Sequence, residues 1–359
     1  MIVPNEEVDT DKLREWLRGS GFADVHERTV VMAQRLPGGY SNLTYDLKVG
    51  SGAAARHVVL RRPPVGVTAD RGAHDMCREF RVLRTVHGTG VPVPEPIALC
   101  EDESVLGAKF FLMSKVEGVA VRRLSDAPAL RDEAEMRRMS EACVDAMAAL
   151  HELPVTETPL YDAERAATYG ARQVANWHAR WSAACPPDLR ADDAEFVFEW
   201  LRAYLPEPIA PALLHNDWKF DNLLVDPVQP SRITGVLDWE MATVGDPRFD
   251  LATSLGYWVQ PDDPAMLQAL ALGVTNAPGC LTRAEVVARY AVARGVPIED
   301  PVYWWAFGLA KVGVIVVQLY ARYVAGTTRD PRYALLGGMA TLLMSTARSA
   351  IERQSLSTS

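Results

Sequence analysis

Residues 215–222 read HNDWKFDN, and residues 235–240 read GVLDWE. In the first segment the carboxylate Asp217 and the amide Asn222 share one predicted loop. In the second, Asp238 follows a short apolar run that indicates a strand. Phosphoryl transfer uses these side chains, because a carboxylate takes the proton of the attacking hydroxyl and oxygen ligands hold Mg²⁺ on the phosphates. The two segments predict such a site, although Asp217 and Asn222 are also residues that stabilise turns.

The pattern around these segments changes along the chain. Before residue 114 it predicts a short leading helix (about 9–19), strands within 30–62, a helix over 75–87 and further strands. From residue 118 onward the apolar spacing is mostly helical. Helices are predicted over 131–153, 192–205 and 282–294. The order predicts a small mixed lobe followed by a large helical lobe.

Composition restricts the function classes. The 359 residues include 37 Lys and Arg against 46 Asp and Glu, a net charge of -9 that disfavours a nucleic-acid partner. The five cysteines are scattered without a CxxC pair, which fits a reducing compartment. The apolar run Val302–Tyr320 nearly reaches membrane-spanning length, but Lys311 at its centre favours a buried helix. The acidic N-terminus does not match a secretory signal. We therefore expect a soluble, cytoplasmic protein without a membrane partner; the sequence does not indicate its oligomeric state.

The HxDxxxxN pattern with a downstream Asp resembles the aminoglycoside phosphotransferase / choline kinase superfamily. The run LDWEMATVGDPRFDLA (237–252) ends in GDPxxDLA, which resembles the branch of kinase-like domains attached to some acyl-CoA dehydrogenases. The resemblance covers about residues 30–345 and implies an α+β, two-lobed protein-kinase-like fold. It implies a small antiparallel-sheet nucleotide-binding lobe (1–113), then a hinge and helical lobe (114–359) with a catalytic loop (215–222) and a metal-binding segment (236–250).

Roles for individual residues follow from the same resemblance. Asp217 would be the catalytic base, and Asn222 and Asp238 would be the metal ligands. His215 is expected to be a structural member of the loop. Asp250 is expected to belong to the scaffold, for example by capping the helix that begins LATSL.

The small lobe contributes the expected nucleotide contacts. The turn 37–44 would fold over the phosphates, with its glycines allowing close approach and polar side chains adding donors, although such turns also occur without function. Arg61 occupies the position at which the family usually has a phosphate-binding lysine, with Glu79 as its partner. A solvated Arg at a strand end is the alternative. The segment 111–118 resembles the hinge that contacts adenine, and equally an ordinary edge strand. The nucleotide-binding residues predicted in this way are Gly38, Gly39, Ser41, Asn42, Arg61, Glu79, Met113, Ser114 and Val116.

These observations predict an ATP- and Mg²⁺-dependent small-molecule kinase that phosphorylates a hydroxyl group. The branch resemblance favours a metabolic hydroxyacyl compound as acceptor, with an aminoglycoside as the alternative. A nucleotide-binding module without turnover is the other alternative, which Arg61 in place of lysine favours. The segment YGARQVANWHARW (169–181) carries Arg172, His178 and Arg180, which would suit an anionic acceptor or form a solvated amphipathic helix.

Overall fold

The computed structural model describes residues 7–20, 22, 25–36, 42–64, 74–156, 158–187, 189, 192–269, 273–328 and 330–358. Contacts divide the chain into two compact units. The first comprises Met1–Glu117 and Thr234–Ala242, and the second comprises Gly118–Ile233 and Thr243–Ser359. The segment that carries Asp238 therefore belongs to the first unit, whereas the sequence placed it in the second lobe.

Helices and strands follow the order that the apolar spacing predicts. In chain order they are α1 (Thr10–Gly19), β1 (Val31–Arg35), β2 (Leu43–Val49), β3 (Arg56–Arg62), α2 (Met76–Val86), β4 (Pro96–Cys100), α3 (Glu103–Leu106), β5 (Phe110–Ser114), β6 (Val119–Ala120), α4 (Glu133–Leu150), α5 (Ala163–Ala167), α6 (Tyr169–Ala184), α7 (Asp192–Ala203), β7 (Ala212–Leu214), β8 (Leu223–Val225), β9 (Ile233–Val236), β10 (Thr243–Gly245), α8 (Arg248–Tyr257), α9 (Ala265–Gln268), α10 (Arg283–Arg294), α11 (Pro301–Val324) and α12 (Leu336–Arg353).

The first unit is built on a five-stranded antiparallel sheet in the order β1-β2-β3-β5-β4. Alternate residues of β2 are buried, as the two-residue period of a half-buried strand requires. Leu47 and Leu60 of the sheet share an apolar core with Leu13 and Leu17 of α1. The side chain of Asp9 caps α1, which is the leading helix predicted over about 9–19.

The second unit is mainly helical, with short strand pairs β6–β8 and β7–β10. Every residue of α8 is buried, and α11 packs against it. Both α11 and the segment Pro331–Arg353 are long and apolar enough to cross a membrane by length and composition, with mean hydropathies of 1.6 and 1.2. However, 78% of the apolar window of α11 is buried inside the protein. Its length and composition are thus also those of a core helix.

Candidate functional site

The loop 215–222 is held between short strands of the second unit. It leaves β7, which pairs with β10 in the register Leu214↔Thr243, and it ends in a 3-10 turn over Phe220–Asn222 that leads directly into β8. Two paired strands therefore fix both ends of a loop that is otherwise irregular.

The carboxylate of Asp217 accepts hydrogen bonds from its own loop. Lys219 Nζ lies 2.7 Å and Asn222 Nδ2 2.8 Å from Asp217 Oδ2. Tyr257 also forms a hydrogen bond with the Asp217 side chain, and burial, with this carboxylate, raises the pKa of the Tyr257 hydroxyl. The side chain of Asp217 is 20% exposed. The carboxylate is thus oriented by three neighbours and remains partly accessible.

Asn222 uses its amide nitrogen to close the loop. Nδ2 donates to the Asp217 backbone oxygen and to the Asp217 carboxylate, both at 2.8 Å. Because the nitrogen makes both bonds, the Asn222 side-chain oxygen is the atom that suits a hard cation.

Asp250 anchors the backbone of the loop through two hydrogen bonds. Its two oxygens accept the N–H groups of His215, at 2.6 Å, and of Asn216, at 2.5 Å. Burial raises the pKa of Asp250, but the His151 hydrogen bond and the other donors outweigh this and lower it. The expectation that Asp250 caps a helix is wrong, because α8 already begins at Arg248 and the carboxylate is used by the loop. His215 accepts the Asp217 N–H through Nδ1, at 3.2 Å, as a structural member of the loop would.

In the first unit, Arg61 is surrounded by three carboxylates. Its Nε donates to Glu79 at 3.0 Å, while Nη2 lies 2.5 Å from Asp238 Oδ1 and 2.9 Å from Glu240 Oε2. The guanidinium geometry allows one side chain to bond several acids at once. Asp238 itself has a φ of 68°, in the left-handed region that non-glycine residues rarely adopt. The structure therefore brings together Arg61, its expected partner Glu79 and the expected metal ligand Asp238.

The charge balance of this cluster alters the pKa of Glu79. Burial raises it to about 7, although the Arg61 charge opposes that shift. Burial lowers the pKa of Arg61, but Glu79, Asp238 and Glu240 together raise it well above its usual range. Arg61 is therefore charged throughout the accessible pH range. Arg62 lies outside this cluster, because its guanidinium donates to the Leu106 backbone oxygen.

The predicted phosphate turn is described only at Asn42. Gly38, Gly39 and Ser41 lie outside the described residues. Asn42 is buried, and its Nδ2 donates to Glu240 Oε2 at 2.7 Å, so this amide contacts the Arg61 cluster.

The predicted hinge residues are at the end of β5. Met113 is buried in the strand and pairs with Val59. Ser114 exchanges hydrogen bonds with Glu95, because its N–H donates to the Glu95 oxygen and its hydroxyl accepts the Glu95 N–H, both at 2.8 Å. Its N–H is thus already used within the sheet. Val116 follows the strand and is half-buried.

The three basic residues of α6 differ in their surroundings. Arg172 donates to the Arg165 backbone oxygen, and His178 lies 2.9 Å from a Glu195 oxygen. Arg180 is exposed and stacks 4.7 Å from the ring centroid of Trp177. Arg172 and His178 therefore contact neighbouring residues, which leaves Arg180 as the α6 cation best placed for an anion.

Four residues of these clusters received no role from the sequence: Lys219, Glu240, Tyr169 and Lys311. Lys219 and Glu240 stand within two residues of Asp217 and Asp238, so their position beside the motifs was an available signal. Tyr169 donates its hydroxyl to Asn216 Oδ1 at 2.8 Å, and Lys311 donates to the Asn216 backbone oxygen at 2.6 Å. Both lie far from the loop in sequence, and only the fold connects them to it.

The donor set fits a magnesium ion better than a softer metal. Asn222 and Asp238 offer oxygen atoms, and Mg²⁺ needs few protein ligands, because water and phosphates complete its shell. In the part of the chain that is described, no group of three or more His, Cys, Asp or Glu is arranged to hold a metal ion.

Comparison with known sequences identifies relatives of this chain. Residues 33–283 match the model of the phosphotransferase enzyme family, APH. The chain is 32% identical over 332 residues to acyl-CoA dehydrogenase family member 11 of Homo sapiens, covering 90% of this chain and 41% of that protein. It is 31% identical over 324 residues to family member 10 of Mus musculus, covering 89% of this chain and 29% of that protein. The chain thus spans less than half of each relative.

Solved structures show the same fold. A candidate aminoglycoside phosphotransferase from Ralstonia eutropha superposes with a TM-score of 0.78 at 26% identity, over 97% of this chain and 99% of that one. The GDP and kanamycin complex of APH(2″)-IIIa gives a TM-score of 0.59 at 15% identity, over 94% and 98%. The prediction of an α+β, protein-kinase-like fold with an antiparallel-sheet lobe and a mainly helical lobe is confirmed, as is the resemblance to the acyl-CoA dehydrogenase branch.

Proposed function

Because the chain belongs to the phosphotransferase enzyme family, we propose that it transfers the γ-phosphoryl group of ATP to a hydroxyl group of a small molecule. The observation that carries this proposal is the Asp217 carboxylate, which Lys219 and Asn222 orient in a loop anchored by Asp250. A carboxylate held in this way is suited to align an attacking hydroxyl and accept its proton.

Asp217 acts as the base in this proposal. Lys219 and Asn222 both donate to Asp217 Oδ2, Tyr257 also bonds the carboxylate, and the part of this carboxylate that stays exposed would accept the hydroxyl proton. Hydrogen-bond donors on a carboxylate make it a weaker base, which suits a reaction whose transition state is largely dissociative and needs positioning more than proton abstraction.

Arg61 is the proposed phosphate-binding residue of the first unit. Its guanidinium is permanently charged and forms forked hydrogen bonds that match phosphate oxygens. Glu79 bonds Nε, which leaves Nη2 on the side of Asp238 and Glu240. Glu79 thereby fixes the orientation of the Arg61 guanidinium, which would bind the phosphates of the nucleotide. Met113, Ser114 and Val116 remain proposed adenine contacts, with the Ser114 N–H excluded by its bond to Glu95.

Asn222 and Asp238 would hold Mg²⁺ in this proposal. The bound ion would neutralise charge on the ATP phosphates. Asp238 Oδ1 lies 2.5 Å from Arg61 Nη2, so the other carboxylate oxygen, Oδ2, is the atom that could contact the cation while Arg61 stays bonded.

We propose a hydroxyacyl compound as the acceptor. The curated relatives are named as acyl-CoA dehydrogenases, although this chain spans only part of their length. Lys219 lies against Asp217, and Arg180 is close enough to influence the buried Lys311. These cations favour an anionic acceptor over a polycation.

The alternatives are distinguishable. An aminoglycoside acceptor is supported by the kanamycin complex of APH(2″)-IIIa, whose fold is similar. A nucleotide-binding module without turnover is supported by Arg61, whose charge is already shared among three carboxylates. Stabilisation by ATP without phosphoryl transfer to any acceptor would favour that module.

The test is a phosphorylation assay with Mg²⁺ and ATP. The acceptors are hydroxy acids, their coenzyme A thioesters and kanamycin, with product identified by mass spectrometry. Asp217→Asn should lower kcat on the order of 10³-fold, while Asp226→Asn, a half-buried carboxylate that accepts backbone N–H groups of its own turn, should leave it unchanged. Undiminished turnover in Asp217→Asn would remove the proposed base. Turnover of kanamycin alone would replace the proposed acceptor.

A further inference from the structure

A buried lysine of α11 touches the backbone of the proposed catalytic loop. Lys311 is 4% exposed and stands in the middle of an apolar helix. Its Nζ donates to the Asn216 backbone oxygen at 2.6 Å and to Thr253 Oγ1 at 2.9 Å. Burying a charged group costs free energy unless the group is paired or hydrogen-bonded, so these two hydrogen bonds reduce the cost of burying Lys311.

The close crossing of α8 and α11 brings Lys311 within hydrogen-bonding distance of Thr253. A Cβ atom on Gly308 would lie 1.9 Å from the Ala252 backbone oxygen, and one on Gly256 would lie 2.5 Å from the Gly308 backbone. The two helices therefore approach each other as closely as their backbones allow. Lys311 and Thr253 each lie three residues from the crossing glycine of their own helix, hence on the same face.

The peptide that Lys311 holds is the one preceding Asp217. The carbonyl of this peptide belongs to Asn216 and bonds Lys311, while its N–H belongs to Asp217 and bonds His215 Nδ1. Asn216 has a φ of 66°, an uncommon conformation for a side chain larger than glycine. Tyr169 and Asp250 fix the side chain and N–H of the same residue. A peptide plane fixed on both edges determines the direction in which Asp217 points.

We propose that Lys311 is a positioning residue, which in its protonated form orients Asp217 for phosphoryl transfer and loses this effect when it deprotonates. The proposal rests on the proposed function of Asp217. A neutral amine still donates, but its hydrogen bonds are weaker than those of an ammonium group. Transfer should therefore decline, rather than stop, as the lysine loses its proton.

The surroundings of Lys311 place its deprotonation in an accessible pH range. Burial lowers the pKa of Lys311 to about 8, against the attraction of Asp217 and Asp250, which raises it. Lys219 of the loop and Arg180 of α6 lower it further. Lys311 is protonated below about pH 8, so activity should be full there and fall as the pH rises through this value.

The experiment measures Mg²⁺-dependent ATP hydrolysis, with water as acceptor, between pH 6.5 and 10. In the wild type, kcat should fall with a midpoint near 8. Lys311→Met should lower kcat about 100-fold at neutral pH, with the KM for ATP within about threefold, because displacement of a reacting group by 1 Å costs about this much. It should also lack the decline near pH 8. Arg289→Met removes a half-buried charge of the same unit, one that pairs with Asp145, and should match the wild type.

A second variant and a second measurement distinguish loss of positioning from misfolding of Lys311→Met. Lys311→Arg keeps a charge that does not titrate in the accessible pH range, so the decline near pH 8 should be absent. Hydrogen exchange of residues 212–222 should be faster in Lys311→Met and unchanged in Arg289→Met. A wild-type kcat in Lys311→Met, or a decline that persists in it, overturns the proposal. If the wild type transfers the phosphoryl group neither to water nor to any acceptor of the phosphorylation assay, the proposed function fails. Unchanged exchange protection in Lys311→Met separately overturns the positioning role.

Discussion

The loop 215–222 of the second unit and the Arg61 cluster of the first are both polar, and each contains a residue in the left-handed conformation. Asn216 has a φ of 66° and Asp238 one of 68°. Their supports differ. Asn216 is held through its N–H, its side chain and its carbonyl by three helices. The Asp238 carboxylate is held by Arg61, a residue expected to bind phosphate.

This difference indicates how each region would respond to ligands. The loop 215–222 is anchored by groups that play no part in phosphate binding, so its geometry can be established before any ligand arrives. In the Arg61 cluster, the positive and negative charges that balance each other belong to the groups proposed to bind the nucleotide and the metal ion. Ligand binding at the Arg61 cluster should therefore replace existing ion pairs, whereas ligand binding at the loop 215–222 should leave its anchoring hydrogen bonds in place.

The largest expected effect concerns the anchor of the loop. Asp250→Asn leaves one oxygen to serve the N–H groups of His215 and Asn216 and removes a buried charge. We expect the free energy of unfolding to fall by about 3–5 kcal/mol and phosphoryl transfer to fall on the order of 10³-fold. Chemical denaturation and the ATP hydrolysis assay measure the two effects.

The matched control is Asp246→Asn, in the same segment. Asp246 is also buried, but its carboxylate bonds Arg248 and not the loop. This variant should lose stability while hydrogen exchange at residues 212–222 stays slow. Equal loosening of the loop in both variants would show that the anchor is not specific to Asp250.

The next effect concerns the helix crossing. Gly308→Ala places a methyl group against the Ala252 backbone oxygen, so one of the two helices must shift. This shift is costly because the oxygen belongs to a helix backbone. We expect a loss of about 1–3 kcal/mol in the free energy of unfolding and faster exchange at residues 212–222, since Lys311 moves with α11. Gly338→Ala in α12 adds the same methyl group where nothing lies within 4 Å. It should be neutral or stabilising by about 0.5–1 kcal/mol, and a comparable loss there would contradict the packing explanation.

The smallest effect tests the first unit. Arg61→Met should weaken ATP binding about 10- to 100-fold, because a charged hydrogen bond contributes about 1.5–3 kcal/mol. Arg61→Lys retains the charge but not the forked hydrogen bonds, so it should bind ATP more tightly than Arg61→Met and more weakly than the wild type. Titration calorimetry with ATP and Mg²⁺ measures both. Arg62→Met is the control, because Arg62 bonds the Leu106 carbonyl, and it should change stability without changing the ATP affinity. Equal affinities in wild type and Arg61→Met would remove Arg61 from the nucleotide site.

Much of the fold was predictable, because local patterns carry the information. The strands predicted within 30–62 include β2, in which alternate residues are buried, and the helix predicted over 282–294 is α10, which begins with a capping box of Thr282 and Glu285. The assignment of segment 234–242 to a lobe was not predictable. Only long-range contacts place that segment in the first unit.

The site was predictable in part for the same reason. Asp217 and Asn222 stand in one loop, so their spacing alone indicates that they meet, and their side chains do bond. Asp250 was expected to belong to the scaffold, but the helix cap given as its role was wrong, because a carboxylate near a helix start is usually explained by its own helix. Its actual partners lie 34 and 35 residues earlier in the chain.

By itself the sequence determined which residues can perform the chemistry, since residue type and short spacing are local properties. Only the tertiary structure decided which distant groups orient them. Lys311 reaches Asn216 across 95 residues, and Arg61 reaches Asp238 across 177. Such pairs form because helices and strands pack to bury apolar surface, and the packing brings together polar groups that have no relation in sequence.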